Sequence, residues 1–171
     1  MAKLFFTELP TREELERDAS LLHPNLDHLT LYSHILLRRV ATDLDINLDS
    51  FFSRYNLSSG RFALMLLLQR TPQGLMPSEL AQKVGVTQAT ISGLINSLEK
   101  ADVVKRTTHE KDGRSFVILL TDKGHSICNE VLPLYHERIS LFWAEFNNGE
   151  KEQLNSLMVR MIGTINKLGD K

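Results

Sequence analysis

The sequence predicts a mainly α-helical protein of α+β class in which a short two-stranded ribbon interrupts a series of helices. Three observations carry that prediction. Apolar residues recur at helical spacing through most of the chain. One pair of β-rich runs, residues 103–106 and 115–120, flanks a polar stretch whose Asp112-Gly113 suits a hairpin turn. Apolar side chains make up 42% of the 171 residues, enough for a sizeable core and too many for a disordered chain.

Taken in order, Thr11-Arg12-Glu13-Glu14 is a capping-box pattern that opens a short helix ending before Pro24. From Leu26 the series Leu29, Tyr32, Leu36, Val40, Leu44, Leu48 and Phe51 keeps helical period, and neither proline nor glycine intervenes before Gly60. That stretch reads as one long helix or two nearly continuous ones. Ser58 or Ser59 can cap the next helix, through Gln69, whose run from Phe62 to Leu68 is apolar nearly all round and therefore buried. Thr71-Pro72-Gln73-Gly74 reads as a turn. A helix from Pro77 to Val84, a tight turn at Gly85-Val86 and a second helix from Thr87 to Lys100 follow, and then the ribbon. Thr121 to Phe146 and Glu150 to Leu168 are again helical, with Asn147-Asn148-Gly149 as the break and Pro133 as an expected kink. Helix, turn, helix and ribbon in that order define a winged helix-turn-helix with flanking N- and C-terminal helices. The expected divisions are 1–56, 57–124 and 125–171.

Composition excludes several classes. No apolar run approaches the ~20 residues of a membrane span, and the N-terminus meets acid and proline too soon for a secretory signal, so a cytoplasmic protein is expected. Cys128 is the single cysteine, which removes both an internal disulfide and a cysteine-rich zinc site. The six histidines are scattered, and His28 and His34 fall on different helix faces, so neither a metal nor a cofactor is expected. Catalytic motifs such as GxSxG, Walker A, HExxH and a strand-following GxGxxG are missing, which argues against an enzyme. The net charge of −1 hides an uneven distribution. From Arg61 to His125 nine basic side chains face six acidic ones, whereas the flanks hold eleven against fifteen. A basic central module on an acidic frame suits a polyanionic partner.

The segment Thr87 to Leu98 carries the functional reading. Ile91, Leu94, Ile95 and Leu98 form one apolar stripe that anchors the helix. Opposite them stand Gln88, Ser92 and Asn96 at i, i+4 and i+8, with Ala89, Gly93 and Ser97 beside them. This face is small, polar and uncharged, so it can enter a DNA major groove. Gln88 and Asn96 match the donor and acceptor of the adenine edge, Ala89 can touch a thymine methyl, and Thr87 can cap a helix N-terminus that favours phosphate. Thr87, Gln88, Ala89, Thr90, Ser92 and Asn96 are therefore the candidate contacts with double-stranded DNA. An ordinary solvated face is the alternative, and the ribbon that follows, with Lys105, Arg106, Lys111 and Arg114 around its tip, tips the balance.

The stretch from Asp112 through Arg114, Ile118, Leu120 and Thr121 to Gly124 resembles the MarR-family wing signature D-x-R-x-x-x-[VI]-x-L-T-x-x-G at every defined position. Ser78-Glu79-Leu80-Ala81 and Gly85 to Ser92 likewise resemble the family's S-E-L-A and G-V-S-x-A-T-V-S segments. The resemblance implies a homodimer whose terminal helices interlock and whose two winged lobes meet successive major grooves of a pseudo-palindromic operator. It also implies that Arg114 enters the minor groove, oriented by Asp112 and accompanied by Lys111. That role is physically sensible because a guanidinium suits a narrow electronegative groove. Gly93, Asn96 and Ser97 depart from the family, where Arg and Asp-Arg are common at these places, so operator preference does not carry over. The family's effectors are small aromatic or phenolic anions bound between dimerisation helices and winged lobe. Candidate liners are His34, Arg38, Arg61, Phe62 and Met65, while Cys128 reads as a small core residue. The expected function is a transcription regulator, a repressor relieved by such a ligand. The alternative is a winged-helix protein-interaction module without specific DNA binding.

Overall fold

Nearly every helix begins where a side chain can take up the backbone N–H groups that the first turn leaves unpaired. The computed structural model describes residues 9–22, 27–108 and 116–169. Its elements are α1 (Arg12–Leu22), α2 (His28–Ser53), α3 (Ser59–Gln69), α4 (Pro77–Val84), α5 (Gln88–Lys100), β1 (Val104–Thr108), β2 (Phe116–Leu120), α6 (Asp122–Trp143) and α7 (Asn148–Thr164), closed by a 3₁₀ turn at Ile165–Leu168. Thr11 and Glu14 form the reciprocal box expected of them. Asp27, Ser58, Thr87, Thr121 and Asn147 cap the later helices through their side-chain oxygens. α4 lacks such a cap; Pro77 stands at its start and Glu79 accepts from the Met76 N–H at 2.7 Å.

α2 is a single helix of 26 residues, and α6 runs unbroken through Pro133. α3 occupies the centre. It packs against α2, α4, α5, β2 and α6, and Leu64, Met65 and Leu68 are fully buried between them. Leu80, Ile91, Ile95, Leu98, Val104, Ile118, Cys128 and Val131 complete that core. At its upper edge Phe52 stacks on Phe62 at 4.7 Å and meets Tyr135 at 5.6 Å, joining α2, α3 and α6.

β1 and β2 pair antiparallel from Val104↔Leu120 to Thr108↔Phe116. Leu75 adds a third edge by exchanging two backbone hydrogen bonds with Ile118, of 3.2 and 2.9 Å. Gly74 makes this approach possible: its φ is +79°, and an added Cβ would lie 2.7 Å from the Ile118 carbonyl oxygen.

Beyond this lobe the helices keep their apolar residues outside. α7 buries none of its side chains, and Leu141 and Ile162 are 69% and 71% exposed. Val40, Leu44 and Ile46 of α2 are exposed as well. Such a spread of large apolar side chains exceeds the scattered exposure of an ordinary surface.

Cys128 is fully buried, and desolvation pushes its thiol up to about 11. Iodoacetamide at pH 8 is therefore expected to leave the native protein unmodified and to alkylate it in denaturant. Rapid native alkylation would contradict the burial.

Candidate nucleic-acid interface

α5 is oriented by the turn before it. Gly85 adopts the left-handed conformation at φ 73°, and its N–H and that of Val86 both close onto the Ala81 carbonyl at 2.9 and 3.1 Å. Thr87 then starts α5, its hydroxyl accepting from the Thr90 N–H at 3.2 Å and lying 2.9 Å from the Thr90 hydroxyl. Ile91, Ile95 and Leu98 are buried beneath the helix, and Leu94 reaches Gly60 of α3. All six candidate contacts, Thr87, Gln88, Ala89, Thr90, Ser92 and Asn96, are exposed. Gln88, Ser92 and Asn96 fall along one face over a rise of about 12 Å. No charged side chain interrupts the helix before Glu99, so no side chain of α5 on this face repels a phosphate backbone.

The ribbon adds a contact that the sequence does not announce. Arg106 of β1 donates to the Asn96 Oδ1 at 2.6 Å, pairs with Glu99 at 3.3 Å and lies over the Phe116 ring at 5.2 Å. Its sequence role was only that of one ribbon cation among four. The partner residues sit on another element, so no local spacing rule could join them. Lys111, Asp112 and Arg114 lie outside the described residues.

Of the five candidate effector liners, two lie in the core, Arg61 is half-buried and two are exposed. Phe62 and Met65 are core residues, 2% and 0% exposed, with Phe62 covered by Phe52 and Tyr135. His34 and Arg38 are exposed on α2, and Arg61 donates to the Asn56 carbonyl at 3.4 Å. A groove of about 640 Å³ instead opens between α2 and α6. Leu44, Tyr135, Phe142 and Trp143 form apolar walls, Asp43, Asn47 and Arg138 are its polar points, and none of the five lines it. Among the described residues no His, Cys, Asp or Glu group could hold a metal ion, and no helix is long and apolar enough to cross a membrane.

The sequence model of the MarR family matches residues 57–116. The HTH-type transcriptional repressor YetL of Bacillus subtilis is 31% identical over 144 residues, which are 84% of this chain and 84% of YetL. The chain belongs to the MarR family. The HTH-type transcriptional regulator PecS of Dickeya dadantii is 31% identical over 140 residues, 81% of this MarR-family chain and 84% of PecS. Among solved structures, MepR of Staphylococcus aureus in complex with DNA superposes with a TM-score of 0.71 at 19% identity, covering 77% of this chain and 95% of that one. CouR of Rhodococcus jostii bound to p-coumaroyl-CoA gives 0.67 at 19% identity, over 75% and 90% of the two chains. These likenesses bear on the fold, which is that of a MarR-type winged helix-turn-helix. The MarR-family chain is a DNA-binding transcription regulator and not an enzyme.

Proposed function

We propose that this MarR-family chain works in the cytoplasm as a homodimeric repressor that reads a pseudo-palindromic operator and releases it when a small aromatic ligand binds. The exposed uncharged face of α5, fixed from below by Ile91, Ile95 and Leu98, is the observation that carries the reading. In this reading residues 57–124 form the DNA-binding unit, and the helices of 1–56 and 125–171 form the dimer. The exposed apolar side chains of α2, α6 and α7 support that division, since a second copy would remove them from water. Relatives support the repressor role: YetL and the MprA protein of Escherichia coli are both transcriptional repressors. For the effector, the α2–α6 groove offers aromatic walls and the Arg138 guanidinium, a pairing suited to a flat apolar anion.

Titration of the protein on duplex DNA tests the reading. Affinity for the preferred site is expected to fall about 10³-fold or more between 50 and 200 mM salt, as roughly six or more neutralised phosphates require. Gln88→Ala is expected to lose about 1–3 kcal/mol on that site while non-specific binding changes little. Salt-insensitive binding, or a monomer in solution, would count against the proposal. An equal Gln88→Ala loss on every sequence would assign Gln88 to the DNA backbone.

A further inference from the structure

We propose that Arg106 sets which base Asn96 selects, turning an adenine-matching side chain into a guanine-selecting one. The proposal rests on the reading that α5 meets base edges, and it deepens that reading at one position.

The argument begins with the strand register. Arg106 stands opposite Ile118, and Phe116 is the diagonal neighbour two residues along β2 on the same face of the ribbon. Level with Arg106 this face carries Ile118, and nearer the lobe Val104 and Leu120, all buried against the core. Farther out the ribbon leaves the core, and Arg106 lies across its flank towards the last turns of α5. Three contacts fix the guanidinium there: the Phe116 ring at 5.2 Å, the Glu99 carboxylate at 3.3 Å and the Asn96 Oδ1 at 2.6 Å. The side chains of Arg106 and Glu99 are each 40% exposed, so the arrangement is open to a ligand without being loose in solvent.

The chemistry of the two groups removes any ambiguity about the amide. A guanidinium has donors only, so the atom facing it must be the Asn96 oxygen, and the Asn96 NH₂ is turned away. An asparagine with both groups available matches adenine, donating to N7 and accepting from the N6 amine. With its oxygen engaged in a charge-assisted bond that fixes the amide, Asn96 meets a base edge with its NH₂ foremost. The base edge with two acceptors side by side is guanine, through N7 and O6. Arg106 is thus a positioning residue that acts through Asn96, and Glu99 and Phe116 keep it in place.

The experiment is selection from a randomised duplex library, followed by binding to the enriched site and its single-base variants. It uses the full-length wild-type protein and the variants Arg106→Met, Arg106→Lys and Asn96→Ala. The wild type should enrich guanine at one pair in each half-site, and Asn96→Ala should abolish the preference at that pair alone. Arg106→Met keeps a side chain of similar length but removes the guanidinium and frees the Asn96 oxygen. It should shift the same pair towards adenine by about tenfold, the discrimination one paired contact supplies. Arg106→Lys retains a donor for Asn96 and should keep guanine. Arg106→Met weakening all sequences equally, with base preference unchanged, would overturn the proposal and make Arg106 a phosphate contact. Adenine at the Asn96-dependent pair in the wild type would overturn it as well. A library from which the wild type enriches no sequence at all would instead defeat the base-reading role of α5.

Discussion

Replacing Gly124 with alanine is expected to remove about 3 kcal/mol or more of stability, the upper end of what overpacking costs. Gly124 lies in the first turn of α6, where its N–H donates to the Thr121 hydroxyl at 3.1 Å. A Cβ there would stand 2.2 Å from the Val103 carbonyl oxygen and 3.0 Å from Leu120 Cδ2. The carbonyl cannot simply give way, because it also accepts from the Thr121 N–H at 3.0 Å and its hydroxyl at 3.2 Å. Moving it would unfasten α6 from the junction between α5 and β1. Urea denaturation of wild type and variant measures the loss, and an unchanged midpoint would mean that α6 can slide without penalty. Gly93 makes the control. It is exposed in the interior of α5 with nothing within 4 Å of a built Cβ, so Gly93→Ala should stabilise by about 1 kcal/mol.

The second large effect is expected at Arg114. In the wing signature that the chain carries, this arginine is flanked by Gly113 and follows Asp112 and Lys111. Its charge is permanent and its head planar, and a narrow minor groove concentrates the negative potential that attracts such a group. A hydrogen-bonded charge of this kind contributes about 1.5 kcal/mol or more. Two wings acting together then predict a loss of about a hundredfold in DNA affinity for Arg114→Ala. The dependence on salt should fall by about one ion per wing. Asp112→Ala should weaken binding less, since it keeps the cation and removes only the carboxylate to which the family resemblance assigns an orienting role. Both variants should keep the wild-type helical content and self-association. Undiminished DNA affinity in a folded Arg114→Ala dimer would reduce the wing arginine to a surface salt bridge.

What the sequence disclosed was set by how far apart the determining residues stand. Thr87, the stripe Ile91, Leu94, Ile95 and Leu98, and the polar face opposite it are all read within one helix, and the structure places each where the period puts it. The start of α7 at Asn148 was also locally written, in the reciprocal bonds between Asn147 and Glu150, although the spacing alone pointed two residues later. Phe62 and Met65 could not be sorted between a pocket wall and a packed core, because that depends on what covers α3 from the other side. Phe52 and Tyr135 do so for Phe62, from elements ten residues before it and more than seventy after it. The α2–α6 groove was illegible for the same reason, and so was the triple fixation of Arg106.

The bare surface of α7 carries a consequence for abundance. A helix of 17 residues in water draws most of its stability from what it packs against, and within one protomer no residue of α7 is fully buried. Under the dimeric arrangement proposed above, its folding free energy is supplied by another molecule, and mass action ties the melting temperature to protein concentration. On dilution α7 would then loosen while the lobe, whose core also takes in Phe51 and Phe52 of α2 and Cys128 and Val131 of α6, stays intact. A cell holding few copies would keep competent lobes but lose the spacer that holds two of them in register. Copy number would therefore act on operator occupancy more steeply than simple one-site binding allows.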